Sequence, residues 1–257
     1  MKLAPENYDE YWKRGWTVVE EVFTEDEVDA ISKLASQICD ERLNNQLGDK
    51  HKTDCSEDGQ AAPRKLPRPF LTHQVFRNFI LDQRMRSLIE QLIGKPPHLM
   101  IDQIFMKPPH FGSANPYHQD NAYFRCHPDD EVLTSWIALD DVDEHNGCLR
   151  YIDDSHLGPI LTHHDVPGEP HNKVPSDDEI DLDRESLAVV RKGGIVFHHS
   201  KALHTSHRNE SDRWRRAYAS HWVSADVTCD EILFETRYYK HDSELYEAAL
   251  RVNADNV

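Results

Sequence analysis

The chain has 257 residues, with 46 Asp and Glu against 29 Lys and Arg and a formal net charge of −17. That length suits one large domain, and the charge argues against general attraction to nucleic acid or an anionic membrane, leaving small molecules as the expected partners. Five scattered cysteines (Cys39, Cys55, Cys126, Cys148, Cys229) without a Cys-x-x-Cys pair argue against a disulfide framework and fit a reducing cytoplasm, while no stretch reads as a signal peptide or a membrane span.

Residues 7–16 read as a short helix ending near Gly15, and the β-branched run 17–23 reads as a strand. Thr24 and Glu27 form a capping-box pattern, followed by Val28, Ile31, Leu34, Ala35 and Ile38 at helical spacing. From 44 to 69 the composition turns polar, with glycines and prolines, and predicts a long surface loop. Asp82 opens a second amphipathic helix with Met85, Leu88, Ile89, Leu92 and Ile93 on one face, stopped at Gly94.

Beyond His98 the pattern changes to short extended runs at 99–106, 133–139, 148–152, 187–190, 195–199 and 217–223. Many short strands separated by turns predict a sandwich or jelly roll. The polar segment 153–185 interrupts them and is expected to be an active-site lid. A short helix is expected at 245–250.

The chemistry centres on His118-Gln119-Asp120. In an extended segment residues i and i+2 point the same way, so the imidazole and the carboxylate converge on one point where a metal ion fits. A third ligand should come from a distant strand. His204 is the best candidate, with His198, His199 and His207 close by. Two imidazoles and one carboxylate make the facial triad of non-heme Fe(II) oxygenases. Arg213, Arg215 and Arg216 offer a guanidinium able to clamp the far carboxylate of a dicarboxylate co-substrate.

Taken in order, His118-x-Asp120, the block from Trp136 through Asn146-Gly147 to Ile152, Ser155-His156, and His204 with Asn209 and Arg215 resemble the phytanoyl-CoA dioxygenase family of Fe(II)/2-oxoglutarate oxygenases. The resemblance runs from about Glu10 to Val223. It implies a mainly β fold with flanking helices, a double-stranded β-helix of the cupin-like jelly-roll type. A helical part would cover about 1–97, the β-helix core about 98–225 and a lid about 153–186. It implies Fe(II) on His118, Asp120 and His204, with 2-oxoglutarate and O2 as co-substrates of a hydroxylation.

The same resemblance selects Arg215 as the carboxylate clamp, eleven residues beyond His204, with Ser206 donating to the same carboxylate. Gln103, Lys107, Gln119 and Trp136 would line the co-substrate pocket. Tyr117, Tyr123 and Phe124 would contact substrate or pack in the core. Relatives that halogenate carry a small residue where this chain has Asp120, so hydroxylation is the expected outcome. Family members commonly have Pro-Gly before Ser-His; this chain has Asp153-Asp154, a departure at the lid that bears on the substrate. Two other readings stand beside this one. The triad would hold Zn or Ni without oxygenase activity, or the acidic lid would recruit a partner to a non-catalytic module.

Overall fold

The computed structural model describes residues 1–45, 47, 49, 52–167, 169–230 and 237–254. Its frame consists of strands β1 (Trp16–Val19), β2 (Lys65–Pro67), β3 (His98–Lys107), β4 (Asn115–His118), β5 (Val132–Ala138), β6 (Leu149–Ile152), β7 (Glu185–Ala188), β8 (Ile195–His199), β9 (His204–Ser206) and β10 (Arg215–Val223). A six-stranded antiparallel sheet runs β1-β8-β5-β10-β3-β2, and a four-stranded sheet runs β7-β6-β9-β4. Together they form a double-stranded β-helix with helices on one side.

Strand periodicity decides which side chains reach the interior. On β5, Leu133 and Ile137 pack outward under the helices, whereas Trp136 and Ala138 face inward toward the smaller sheet. On β10, Tyr218 and Trp222 go outward while Ala217 and Ala219 go inward. The outer layer is built from the helices Glu25–Leu43 and Gln83–Ile93, whose Val28, Ile31, Ala35, Met85, Leu88 and Ile89 are buried against that sheet.

The helix signals correspond to real ends. Thr24 and Glu27 form the reciprocal capping box, Asp82 caps Arg84 N at 2.8 Å, and Gly94 closes the second helix at φ 71°, where a residue with a Cβ is strained. The first helix runs Pro5–Arg14 and the last Ser243–Ala254.

Several expectations are revised. The strand foreseen at 17–23 is only Trp16–Val19, because Glu21 turns the chain at φ 58°. The segment 44–69 is not a plain loop: Thr53–Cys55 pairs with Ala61–Pro63, and β2 pairs with β3. Its Pro63 and Pro67 read as strand breakers, yet proline is tolerated at the edge of a sheet, where β2 lies. Within 153–185, His164–Val166 pairs with Glu169–Val174. The cysteine reading is also corrected, since Cys126 and Cys229 are bonded and tie Cys126–His127 to Thr228–Cys229. An odd count excludes only the pairing of every cysteine, and it leaves Cys39, Cys55 and Cys148 free, so the cysteine count is no guide to compartment. Among the described residues no helix is long and apolar enough to cross a membrane.

Candidate metal and co-substrate site

His118 closes β4 and faces His204 at the start of β9 in the antiparallel register, so the two rings lie 4.2 Å apart between centroids. Asp120 follows after the extended Gln119, at φ −112° and ψ 129°, as the first residue of the short helix Asp120–Phe124. His118 and Asp120 thus converge across an extended residue at a strand-to-helix junction, as the i, i+2 spacing predicts. One ligand atom from each of His118, Asp120 and His204 lies within 4.8 Å of the others.

Protons are absent from the centre of this triangle. Nδ1 of His118 donates to Pro116 O and Nδ1 of His204 to Ala202 O, both at 2.9 Å. A carbonyl only accepts, so each neutral ring carries its hydrogen on Nδ1 and presents a bare Nε2 lone pair. Those Nε2 atoms face Asp120 Oδ1 at 3.7 and 4.0 Å, too far for hydrogen bonds. Three acceptors pointing at one another call for a cation. Burial first, then the neighbouring imidazole, pushes His118 and His204 down to about 4, which keeps both in the ligating form at neutral pH. Burial alone would raise Asp120, but the surrounding imidazoles, His221 first, then His198 through its hydrogen bond, then His204, outweigh it and hold the carboxyl well below its ordinary range. Two nitrogens and one oxygen suit a ferrous ion.

A second focus lies at the start of β10. Arg215 is 2% exposed, sits with its guanidinium carbon 5.4 Å from the Trp136 ring centre, and has an Nε with no hydrogen-bond partner among the described residues. Lys107 is its register partner on β3 and is likewise buried. Burial and then the Arg215 charge drive Lys107 well below its ordinary value, and burial brings Arg215 to about 10. Lys107 donates to Ser206 Oγ at 2.8 Å and to the carbonyls of Ser206 and His207, so the Ser206 hydroxyl keeps its own proton to give. Neither Arg215 nor Lys107 is ion-paired with a carboxylate among the described residues, so the two side chains can receive an anion. The other two arginines are committed elsewhere, Arg213 to Asp143 at 2.6 Å and Arg216 to Asp140 through two bonds.

One cavity joins the two foci. Gln103, Lys107, Trp136, Ser206 and Arg215 line it together with the three candidate ligands. Asn209 is fully buried and donates to the carbonyls of Lys107, Pro108 and Arg213, tying the ends of β3 and β10 together.

Gln119 is placed differently from the expectation. It lies between the two ligands, where strand alternation turns its side chain outward, so it donates to Lys201 O at 2.8 Å and accepts from Leu161 N at 2.8 Å. It does not line the cavity; it ties the ligand-bearing segment to residues 159–161 and to Lys201. Tyr117 bonds Glu185, Tyr123 bonds the backbone of Lys173, and Phe124 packs edge-on against His221. Reading the residues missed Thr134, His221 and Arg64 on the cavity wall, and named His198, which bonds Asp120, only as a neighbour of His204. Inward parity with Trp136 was the available signal for Thr134, and with Arg215 for His221.

The family model described as "Phytanoyl-CoA dioxygenase (PhyH)" matches residues 11–217. The chain belongs to the phytanoyl-CoA dioxygenase family. The peroxisomal phytanoyl-CoA dioxygenase of Bos taurus is 32% identical over 123 residues, 47% of this chain and 36% of that protein. The probable phytanoyl-CoA dioxygenase of Caenorhabditis elegans is 24% identical over 241 residues, 88% and 77% of the two chains. The match to the mammalian phytanoyl-CoA dioxygenases thus spans well under half of their length: 36% in the bovine protein and 41% in that of Mus musculus.

Solved structures share the family's fold. EvdO2 from Micromonospora carbonacea var. aurantiaca, complexed with 2-oxoglutarate, superposes with a TM-score of 0.69 at 22% identity over 88% of this chain and 92% of that one. EctD from S. alaskensis with bound Fe gives 0.68 at 17% identity over 86% and 77%.

Proposed function

We propose that this chain is an Fe(II)- and 2-oxoglutarate-dependent oxygenase that hydroxylates a C–H bond of a small molecule. The observation that carries this is the pairing, in one cavity, of a proton-free His118–Asp120–His204 triangle with a buried Arg215 whose Nε has no hydrogen-bond partner among the described residues, beside Lys107 and Ser206. A metal protein without oxygenase chemistry needs the first and has no use for the second. His118, Asp120 and His204 would hold the iron. Arg215, Ser206 and Lys107 would bind the far carboxylate of 2-oxoglutarate, with Trp136 stacked under the guanidinium and Gln103 on the wall.

Bound iron with 2-oxoglutarate and O2 supplies the oxidising power for hydroxylation, releasing succinate and CO2. The protein's own work is positioning. Nδ1 bonds to Pro116 and Ala202 aim both imidazoles, and Arg215 with Lys107 fixes the co-substrate's distal end. Gln119 holds residues 159–161 over the ligand-bearing segment and helps exclude water. We read the whole chain as one such domain, with 153–186 as its lid.

The test is succinate release from 2-oxoglutarate by the Fe(II)-loaded protein with and without O2. Release that requires O2 and is nearly abolished by Asp120→Ala supports the reading. A protein that binds metal and yet releases no succinate with any of a broad set of small-molecule substrates contradicts it.

A further inference from the structure

The two oxygens of Asp120 have different surroundings. Oδ2 accepts from Thr134 Oγ1 at 2.6 Å and from His198 Nε2 at 3.0 Å. A carboxylate oxygen offers two lone pairs, and both of those on Oδ2 are in use. Each donor is itself held from behind. The Thr134 hydroxyl hydrogen is engaged by Asp120, so its oxygen accepts from His221 Nδ1 at 2.7 Å, and that nitrogen lies 3.6 Å from Oδ2. Tyr151 donates its hydroxyl to His198 Nδ1 at 2.7 Å, which leaves the His198 proton on Nε2, facing Asp120. Oδ1 takes no hydrogen bond among the described residues and faces only the bare Nε2 atoms of His118 and His204.

We propose that Thr134 and His198, backed by His221 and Tyr151, are positioning residues that confine Asp120 to ligating a metal through Oδ1 alone. The assignment rests on the oxygenase reading above and deepens it. An octahedral ion held by two imidazoles and one carboxylate oxygen keeps three positions for a chelating keto acid and O2. A carboxylate free to rotate and add its second oxygen would occupy one of them. All four side chains are at most 5% exposed, so water cannot replace a lost donor without rearrangement.

Titration of the metal-free full-length protein with Co(II) tests this without turnover. Thr134→Val and His198→Phe each remove one donor at similar shape, and Thr134→Ser restores the hydroxyl. Expected are a Co(II) affinity weakened about tenfold in each of the first two, an altered visible d–d spectrum, and wild-type behaviour in Thr134→Ser. Circular dichroism and melting of the metal-free proteins check the fold, and either donor variant alone carries the result. Wild-type affinity and spectrum in both folded donor variants, or equal losses in Thr134→Val and Thr134→Ser, would overturn the assignment alone. Wild-type protein that takes up no Co(II) would overturn the oxygenase reading with it.

Discussion

Exchanging Arg215 for Lys separates charge from geometry at the anion receptor. An ammonium keeps the positive charge but loses the planar fork that meets a carboxylate with two parallel bonds, and it loses the face presented to Trp136. A charged hydrogen bond is worth about 1.5–3 kcal/mol, so KM for 2-oxoglutarate is expected to rise roughly tenfold to a hundredfold, with a smaller effect on kcat. Ser206→Ala removes one neutral donor and should cost roughly fivefold in the same constant. Steady-state kinetics against 2-oxoglutarate checks both; an unchanged KM in Arg215→Lys would move the co-substrate elsewhere. At this scale His118, Asp120, His204 and Arg215 were legible from their order and spacing together with the resemblance, and the fold brings all four to one cavity. Thr134 and His221 were not, since a lone Thr in Val132–Ala138 reads as a β-former and its hydrogen-bond partner lies 87 residues away. Gln119, which the resemblance put in the co-substrate pocket, bonds Lys201 O and Leu161 N instead.

At the scale of elements, the strands that carry the ligands were the hardest to foresee. Asn115–His118 and His204–Ser206 are short and polar, so the hydrophobic alternation that revealed β3, β5, β8 and β10 is missing from them. Their pairing comes from the register of the smaller sheet, a tertiary fact. Segment 159–161 shows the same logic, since Gln119 anchors it through Pro159 O and Leu161 N and also bonds the neighbouring Lys201 O. Replacing Gln119 by Ala removes those three bonds, and amide hydrogen exchange in 159–163 should accelerate, while metal affinity stays near wild type. Unaltered exchange there would mean that the segment is held by other contacts. Capping was readable from sequence and remains testable: Thr24→Ala should cost about 1 kcal/mol in urea unfolding.

Across the whole molecule, a buried carboxylate joins parts remote in sequence. Asp102 on β3 accepts from Phe70 N at 2.9 Å, Tyr218 OH at 2.6 Å and Tyr238 OH at 2.8 Å, linking the N-terminal helical layer, the large sheet and the C-terminal segment. Burial raises its pKa to about 6, and the two tyrosine bonds and the Phe70 amide only partly oppose this. The folded state therefore holds this proton more tightly than the unfolded chain does. The resulting stability is present below the ordinary carboxyl range and is lost as pH rises through about 6. A shift of two units corresponds to roughly 3 kcal/mol, so Asp102→Asn should gain about that much relative to wild type between pH 4 and pH 7 in denaturant unfolding. A pH-independent difference would refute it. The overall class was legible from many short alternating strands, whereas the joining of helical layer, barrel and C-terminal segment at Asp102 depends on contacts that no local pattern encodes.

The central claim is that one cavity holds a ferrous ion on His118, Asp120 and His204 beside a keto acid anchored at Arg215. Anaerobic addition of Fe(II) and 2-oxoglutarate to the metal-free protein, followed by visible absorption, tests it most directly. The account predicts a charge-transfer band that requires both components, disappears in His204→Ala and needs more 2-oxoglutarate to saturate in Arg215→Lys. No band at saturating concentrations of both, or a band indifferent to His204→Ala, would contradict it.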